Sequence, residues 1–214
     1  MDCVRADLVV AWIGGFARLI EQNASYLTDL DAAIGDADHG VNMQRGMAAA
    51  VAAFEESPPQ TPAEACKQLA MVLIGTVGGA SGPLYGTLFL RMAAELGTED
   101  PVDAARFASA LRAGVLGLAQ RGRAEQGDKT MLDALAPASA TLDAALAEGA
   151  GLPEAMSRAA EAAAAGRDAT GPLPARKGRA SYLGDRSTGH IDPGAASAAM
   201  LITAAATAAR GPTR

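Results

Sequence analysis

The stretch "LVVAWIGGFARLI", residues 8–20, decides the architecture. Leu8, Trp12, Phe16 and Ile20 recur every four residues and make one apolar stripe along a helix. The same helical spacing returns almost everywhere downstream, and capping residues punctuate the runs. A second helix is expected over about 40–54, stopped by the "SPP" at 57–59. In "TPAE", Thr61 is the N-cap, Pro62 the first helical residue and Glu64 the return partner of a capping box. That third helix continues to about Val77, and a fourth spans about 82–96. Asp100 and Pro101 open a fifth that ends near Gly122; Asp128 opens a sixth, which Pro137 kinks or splits. Pro153 opens a seventh that dissolves in "GRDATGPLP", and Asp192 with Pro193 opens an eighth reaching about Ala209. Nothing alternates with a period of two. The chain reads as all-α: eight helices in an up-and-down bundle, one domain over 1–214.

Composition agrees. Half of the 214 residues are hydrophobic but only 4% are aromatic, so Ala, Leu, Val and Met build the core, as suits close-packed helices. A net charge of −6 and a pI near 4.9 exclude a general nucleic-acid binder, which needs a basic face. Cys3 and Cys66 are too few for a disulfide framework and fit a reducing cytosol. The start lacks a signal-peptide layout, and no apolar run reaches the roughly 18 residues of a membrane span. A soluble, cytoplasmic protein is expected, with neither nucleic acid nor membrane as partner.

The connections are unequal. Four carry polar residues in a glycine-rich frame: "LDAAIGDADHG" (30–40), "GTVGGASGPLYG" (75–86), "RGRAEQGDKTM" (121–131) and "GRASYLGDRSTGHIDPG" (178–194). They follow the first, third, fifth and seventh expected helices. The intervening "ESPPQTP", "GTEDP" and "EGAGLP" are plain turns. Alternate loops of an up-and-down bundle share an end, so the four polar ones gather at one end and make a site there.

Each loop has two readings. Asp36 and Asp38, two apart, share a side of an extended segment, and Gly35 lets the chain turn back towards Asp31. Three carboxylates suit a hard cation such as Mg²⁺; the alternative is a solvated acidic turn in which Asp36 or Asp38 caps the next helix. An EF-hand fails, because Met47 stands where its bidentate glutamate belongs. "GGASG" (78–82) opens a helix, either as a nest of amides for an anion, with the Ser81 hydroxyl, or as a tight turn between helices. It is not a Walker A loop, which needs Gly-Lys-Ser/Thr, nor a Rossmann turn, which needs a preceding strand. "GDKTML" places Met131 and Leu132 beside the site, as a shelf for a flat base or as plain core. Arg176, Lys177, Arg179 and Arg186 form a basic loop, for phosphate or simply solvated. Both histidines, His39 and His190, fall in these loops. Together the four loops read as an Mg²⁺-nucleotide site.

"LDAAIGDADHGVNM", "GGASGPLYGT", "GDKTMLDAL" and "GRASYLGDRSTGHIDPGA" closely resemble the dihydroxyacetone kinase L subunit family, the ADP-binding subunit or domain of that kinase, over nearly the whole chain. The resemblance implies an eight-helix antiparallel barrel with ADP or ATP and two Mg²⁺ at one end. It implies that Asp31, Asp36 and Asp38 hold the metals and that His39 and Asn42 touch the nucleotide. Ala80 and Ser81 bind phosphate, Gly122 and Met131 line the base pocket, and Arg179 with Asp192, Pro193 and Gly194 closes the site. Ala37 stands where the family often has Gly, a mild departure.

The resemblance also implies a division of labour. Dihydroxyacetone is captured covalently by a histidine of a separate substrate-binding subunit, so this chain passes the phosphoryl group to an acceptor that a partner holds. Asp31, Asp36, Asp38 and Arg179 take the catalytic part. A free-standing subunit favours the phosphotransferase-system form, in which bound ADP is rephosphorylated in place by a phosphocarrier subunit. The alternatives are an ATP-exchanging subunit for another small sugar and a regulatory module that senses nucleotide state without catalysis. A lipid-like ligand inside the barrel is also among the family's properties.

Overall fold

The structure is a computed structural model that describes residues 3–211. The apolar stripe forms α1 (Ala6–Gln22), which buries Val9, Trp12, Ile13, Phe16 and Ile20. After it come α2 (Ala24–Ile34), α3 (His39–Glu56), α4 (Pro62–Thr76), α5 (Ser81–Leu96), α6 (Ala104–Gly122), α7 (Leu132–Ala147), α8 (Leu152–Ala169) and α9 (Pro193–Arg210). A 3-10 segment, Arg179–Ser187, lies between α8 and α9. Packing runs α1, α3, α4, α5, α6, α7, α8, α9 and back to α1, which closes a ring of eight helices. The all-α barrel read from the sequence is the fold observed. Among the described residues no helix is long and apolar enough to cross a membrane.

Aromatic residues, scarce as they are, fill the centre of the ring. Trp12 of α1 meets Phe89 of α5 at 5.8 Å and Phe107 of α6 at 5.9 Å, and Phe16 meets Tyr85 at 6.2 Å. Since α5 and α6 stand opposite α1 in the ring, these contacts cross the barrel axis. Trp12 Nε1 donates to Leu201 O of α9 at 2.8 Å, which satisfies its one polar atom. Large side chains thus occupy the interior where the resemblance implied a lipid-like ligand, and that expectation gains no support. In α9 alone Ala195, Ala196, Ala198, Ala199, Ala204, Ala205, Ala206 and Ala209 are buried, so neighbouring backbones approach closely.

The boundaries differ from expectation in four places. The first expected helix breaks at Asn23, whose side chain donates to Leu19 O at 2.8 Å and so ends α1; α2 begins at once and packs on α3, outside the ring. The fifth begins later than expected. Its N-cap is Asp103, which accepts from the Arg106 amide at 2.7 Å, while Asp100 accepts from the Ala6 amide at 3.1 Å. Just before the fifth helix, two-residue strands β1 (Cys3–Val4) and β2 (Val102–Asp103) pair antiparallel, too short to leave a period in the sequence. The sixth starts at Leu132, not Asp128, so the third polar loop is longer than its caps suggested.

Pro137 neither splits nor ends α7. It leaves the Asp133 carbonyl without an intrahelical amide, and α8 approaches closely there: a Cβ on Gly166 would lie 2.1 Å from that oxygen. Thr61 and Asp192 cap α4 and α9 as read, accepting from Glu64 N at 3.1 Å and Ala195 N at 2.7 Å.

Candidate functional site

The four polar loops do meet at one end of the barrel, around a cleft of about 720 Å³. Asp31 lies on the last turn of α2; Asp36 and Asp38 lie on the loop that follows. One carboxylate oxygen of each sits within 4.8 Å of the other two. The turn is held from within. Asp31 Oδ2 accepts the backbone amides of Asp38 at 2.8 Å and His39 at 3.1 Å. Asp31 therefore does the capping at the start of α3 that the sequence assigned to Asp36 or Asp38. Close approach requires Gly35, since a Cβ there would fall 2.1 Å from Asp31 Oδ1. Ala37 has φ 61°, the left-handed region that suits glycine.

Like charges this close repel, and Arg179 offsets them: its Nη2 stands 3.0 Å from Asp36 Oδ2. Arg179 reaches across on a loop whose neck is tied twice. Gly189 N donates to Gly171 O at 2.8 Å. Beside it Lys129, 1% exposed, donates from Nζ to Thr170 O at 2.7 Å, to Leu173 O at 3.1 Å and to His190 O. Burial pulls the Lys129 ammonium below the usual lysine range, against the pull of Asp192 and Asp133. One buried cation thus gathers both ends of the arginine-bearing loop.

On the opposite wall, "GGASG" starts α5 with Gly79 at φ 65° and Ser81 in the first turn, where helix amides lack intrahelical partners. His39 is buried beside it, with Nδ1 3.2 Å from Ser81 Oγ and Nε2 2.9 Å from Ser197 Oγ. Burial lowers the His39 pKa, against the pull of Asp31 and Asp38. Arg45 orients Asn42, donating to its Oδ1 at 2.7 Å and to Thr76 O at 3.0 Å. An apolar wall of Leu84, Leu118, Gly122 and Met131 completes the cleft. Asp192 closes the floor as the N-cap of α9. Its carboxyl is pushed up to about 7 by burial, opposed by the Ala195 amide it accepts from and by Lys129, with Asp133 and Asp31 adding to the rise.

Asp31, Asp36, Asp38, His39, Asn42, Ala80, Ser81, Gly122, Met131, Arg179, Asp192, Pro193 and Gly194 all line this one cleft, as do Arg176 and Lys177. Asp128, Leu132, Arg186 and His190 do not. Leu132 is buried in the core, Asp128 binds the Glu125 amide at 2.9 Å, and the His190 side chain is exposed. Reading the sequence missed Lys129, Leu84, Leu118 and the buried Ser197. Leu84 and Leu118 look like any core leucine, and Lys129 looks like any surface lysine until the fold buries it.

Three convergent carboxylates are a hard-oxygen donor set that fits Mg²⁺. Set across a cleft from helix-start amides, they suit a ligand that carries both metal and phosphate.

The DAK2 domain family matches residues 33–207. The chain is 40% identical over 198 residues to the PEP-dependent dihydroxyacetone kinase 1, ADP-binding subunit DhaL of Listeria innocua, covering 92% of this chain and 94% of that protein. It is 38% identical over 202 residues to the PEP-dependent dihydroxyacetone kinase, ADP-binding subunit DhaL of Escherichia coli, covering 94% and 96%. The fold matches the dihydroxyacetone kinase from C. freundii in complex with AMP-PNP and Mg²⁺, with TM-score 0.72 and 26% identity. The match takes in 97% of this chain but 34% of that one. The chain belongs to the DAK2 domain family. Within it, the likeness over nearly full length is to the ADP-binding subunit DhaL of dihydroxyacetone kinase.

Proposed function

We propose that this protein is the magnesium-nucleotide subunit of a dihydroxyacetone-type kinase. It passes a phosphoryl group from bound nucleotide to dihydroxyacetone, or a similar small ketose, held on a separate subunit. The observation that carries this is the meeting of Asp31, Asp36 and Asp38 with the Ser81 helix start in one cleft. Names of the relatives support the nucleotide and the donor: both DhaL proteins are called ADP-binding subunits of PEP-dependent kinases. ADP then stays bound as a cofactor, and a phosphocarrier subunit of the phosphotransferase system rephosphorylates it in place, in the cytoplasm.

Mg²⁺, two ions on this reading, supplies charge neutralisation of the phosphates when bound. Asp31, Asp36 and Asp38 hold it, Asp31 with Oδ2 already anchored on two amides. Ala80 and Ser81 present amides to phosphate, and Asn42 and His39 border the same wall. Gly122 and Met131, with Leu84 and Leu118, form an apolar slot of the kind a base occupies. Arg179, paired with Asp36 across the cleft, would offset the charge that develops on the phosphoryl group in transfer. Asp192, Pro193 and Gly194 close the floor. Neither histidine is suited to capture a ketose: His39 is buried between two serines, and His190 lies outside the cleft. A partner must bring the acceptor.

Reconstitution tests this. The protein, its substrate-binding subunit and the phosphocarrier, given phosphoenolpyruvate and dihydroxyacetone, are expected to yield dihydroxyacetone phosphate. No transfer to any triose or tetrose would overturn the kinase reading. Transfer from free ATP without the carrier would replace the bound-ADP form by the exchanging one.

A further inference from the structure

Ser197 lies in the second turn of α9, fully buried, in a run of alanines that gives it no distinction. Its Oγ has three polar neighbours: Gly194 O at 3.0 Å, Tyr85 OH at 2.8 Å and His39 Nε2 at 2.9 Å. A hydroxyl has one proton, and a carbonyl only accepts. The Ser197 proton therefore goes to Gly194 O, and both Tyr85 and His39 donate into Ser197 Oγ. That puts a proton on His39 Nε2; in the neutral ring Nδ1 is then an acceptor, 3.2 Å from Ser81 Oγ. Ser81 donates to it. Every proton along Tyr85, Ser197, His39 and Ser81 is then placed, and α3, α5 and α9 are joined through one buried oxygen.

The consequence falls on Ser81. Ser81 is the first residue of α5, where a short hydroxyl side chain competes for nearby backbone groups, and the free amides of that turn are the ones an anion needs. We infer that Ser197 is a positioning residue: it fixes His39 as the Nε2–H tautomer, and His39 holds the Ser81 hydroxyl off the α5 amides, so that they stay open to phosphate. The phosphate consequence rests on the nucleotide reading above.

The chain has only two histidines, so nitrogen-15 NMR of the imidazoles is readily assigned with a His190→Gln variant. In the wild-type protein His39 is expected as the Nε2–H form. Ser197→Ala should lose that form and weaken Mg²⁺-dependent ADP binding about tenfold, the scale usual for groups that orient a site residue. Tyr85→Phe disturbs the same buried network but leaves the His39–Ser197 bond, so it should keep the tautomer and bind ADP within about twofold of wild type.

An Nδ1–H His39 in the wild type would overturn the inference, even where Ser197→Ala fails to fold. So would a Ser197→Ala protein with unchanged tautomer, or one with unchanged ADP affinity. A wild type that binds no ADP strikes the nucleotide reading instead, and the tautomer still decides whether Ser197 orients His39.

Discussion

Arg179 Nη2 stands 3.0 Å from Asp36 Oδ2, so the positive charge nearest the acid cluster is reached from another loop, across the cleft. The side chains are 68% and 34% exposed, and a pair in that setting contributes little to folding. Arg179→Gln is therefore expected to change stability by no more than about 1 kcal/mol. In the reconstituted kinase assay the same variant should lower phosphoryl transfer about 100-fold. A variant that transfers at the wild-type rate would remove Arg179 from the chemistry.

Lys129 has the opposite profile. It is buried, and its ammonium serves carbonyls at both ends of the loop 171–189. Lys129→Met leaves those oxygens without donors, at a cost of at least about 3 kcal/mol. Denaturant unfolding should show that loss, and limited proteolysis should cut first within 171–189. Wild-type stability with an uncut loop would show that the ammonium does not hold the neck.

Ala37 adopts φ 61° on an exposed turn. A Cβ there costs about 1 kcal/mol relative to glycine. Ala37→Gly should raise stability by that amount in thermal unfolding and leave Mg²⁺ binding as it is. A drop in stability would mean that the turn relaxes elsewhere.

Asp192 sets a pH dependence. Its carboxyl is raised from 3.8 to about 7 in the folded protein, chiefly by burial. The folded state thus holds a proton that the unfolded chain has lost. The stabilisation is complete below about 3.8 and disappears as pH rises to about 7. In metal-free buffer, Asp192→Asn should flatten the stability curve across that window and exceed wild type above it. An unchanged slope would place the titrating group elsewhere.

The barrel was legible because its signals are local: a four-residue apolar repeat at Leu8–Ile20, Thr61 and Asp192 as caps, and the alternation of plain and polar connections. That alternation also located the site, since topology alone brings loops 30–40 and 178–194 to one end. The break at Asn23 was hidden, because a single asparagine in a polar run carries no Gly or Pro mark. Lys129 and Ser197 were hidden for a different reason. Their roles come from burial by segments 40 to 160 residues away, on which local pattern is silent. Asp31 was found, but its capping of α3 was not, since that depends on the path of the turn between them.

Binding of nucleotide through Mg²⁺ held by Asp31, Asp36 and Asp38 is decided by retention of ADP on dialysis. The purified protein is loaded with ADP and dialysed exhaustively, either with Mg²⁺ or with EDTA, then denatured, and the released nucleotide is quantified. Stoichiometric ADP is expected after dialysis with Mg²⁺, little after EDTA, and little under either condition from Asp36→Asn. ADP retained equally with and without Mg²⁺, or held by Asp36→Asn as by wild type, would contradict the metal assignment on which the account rests.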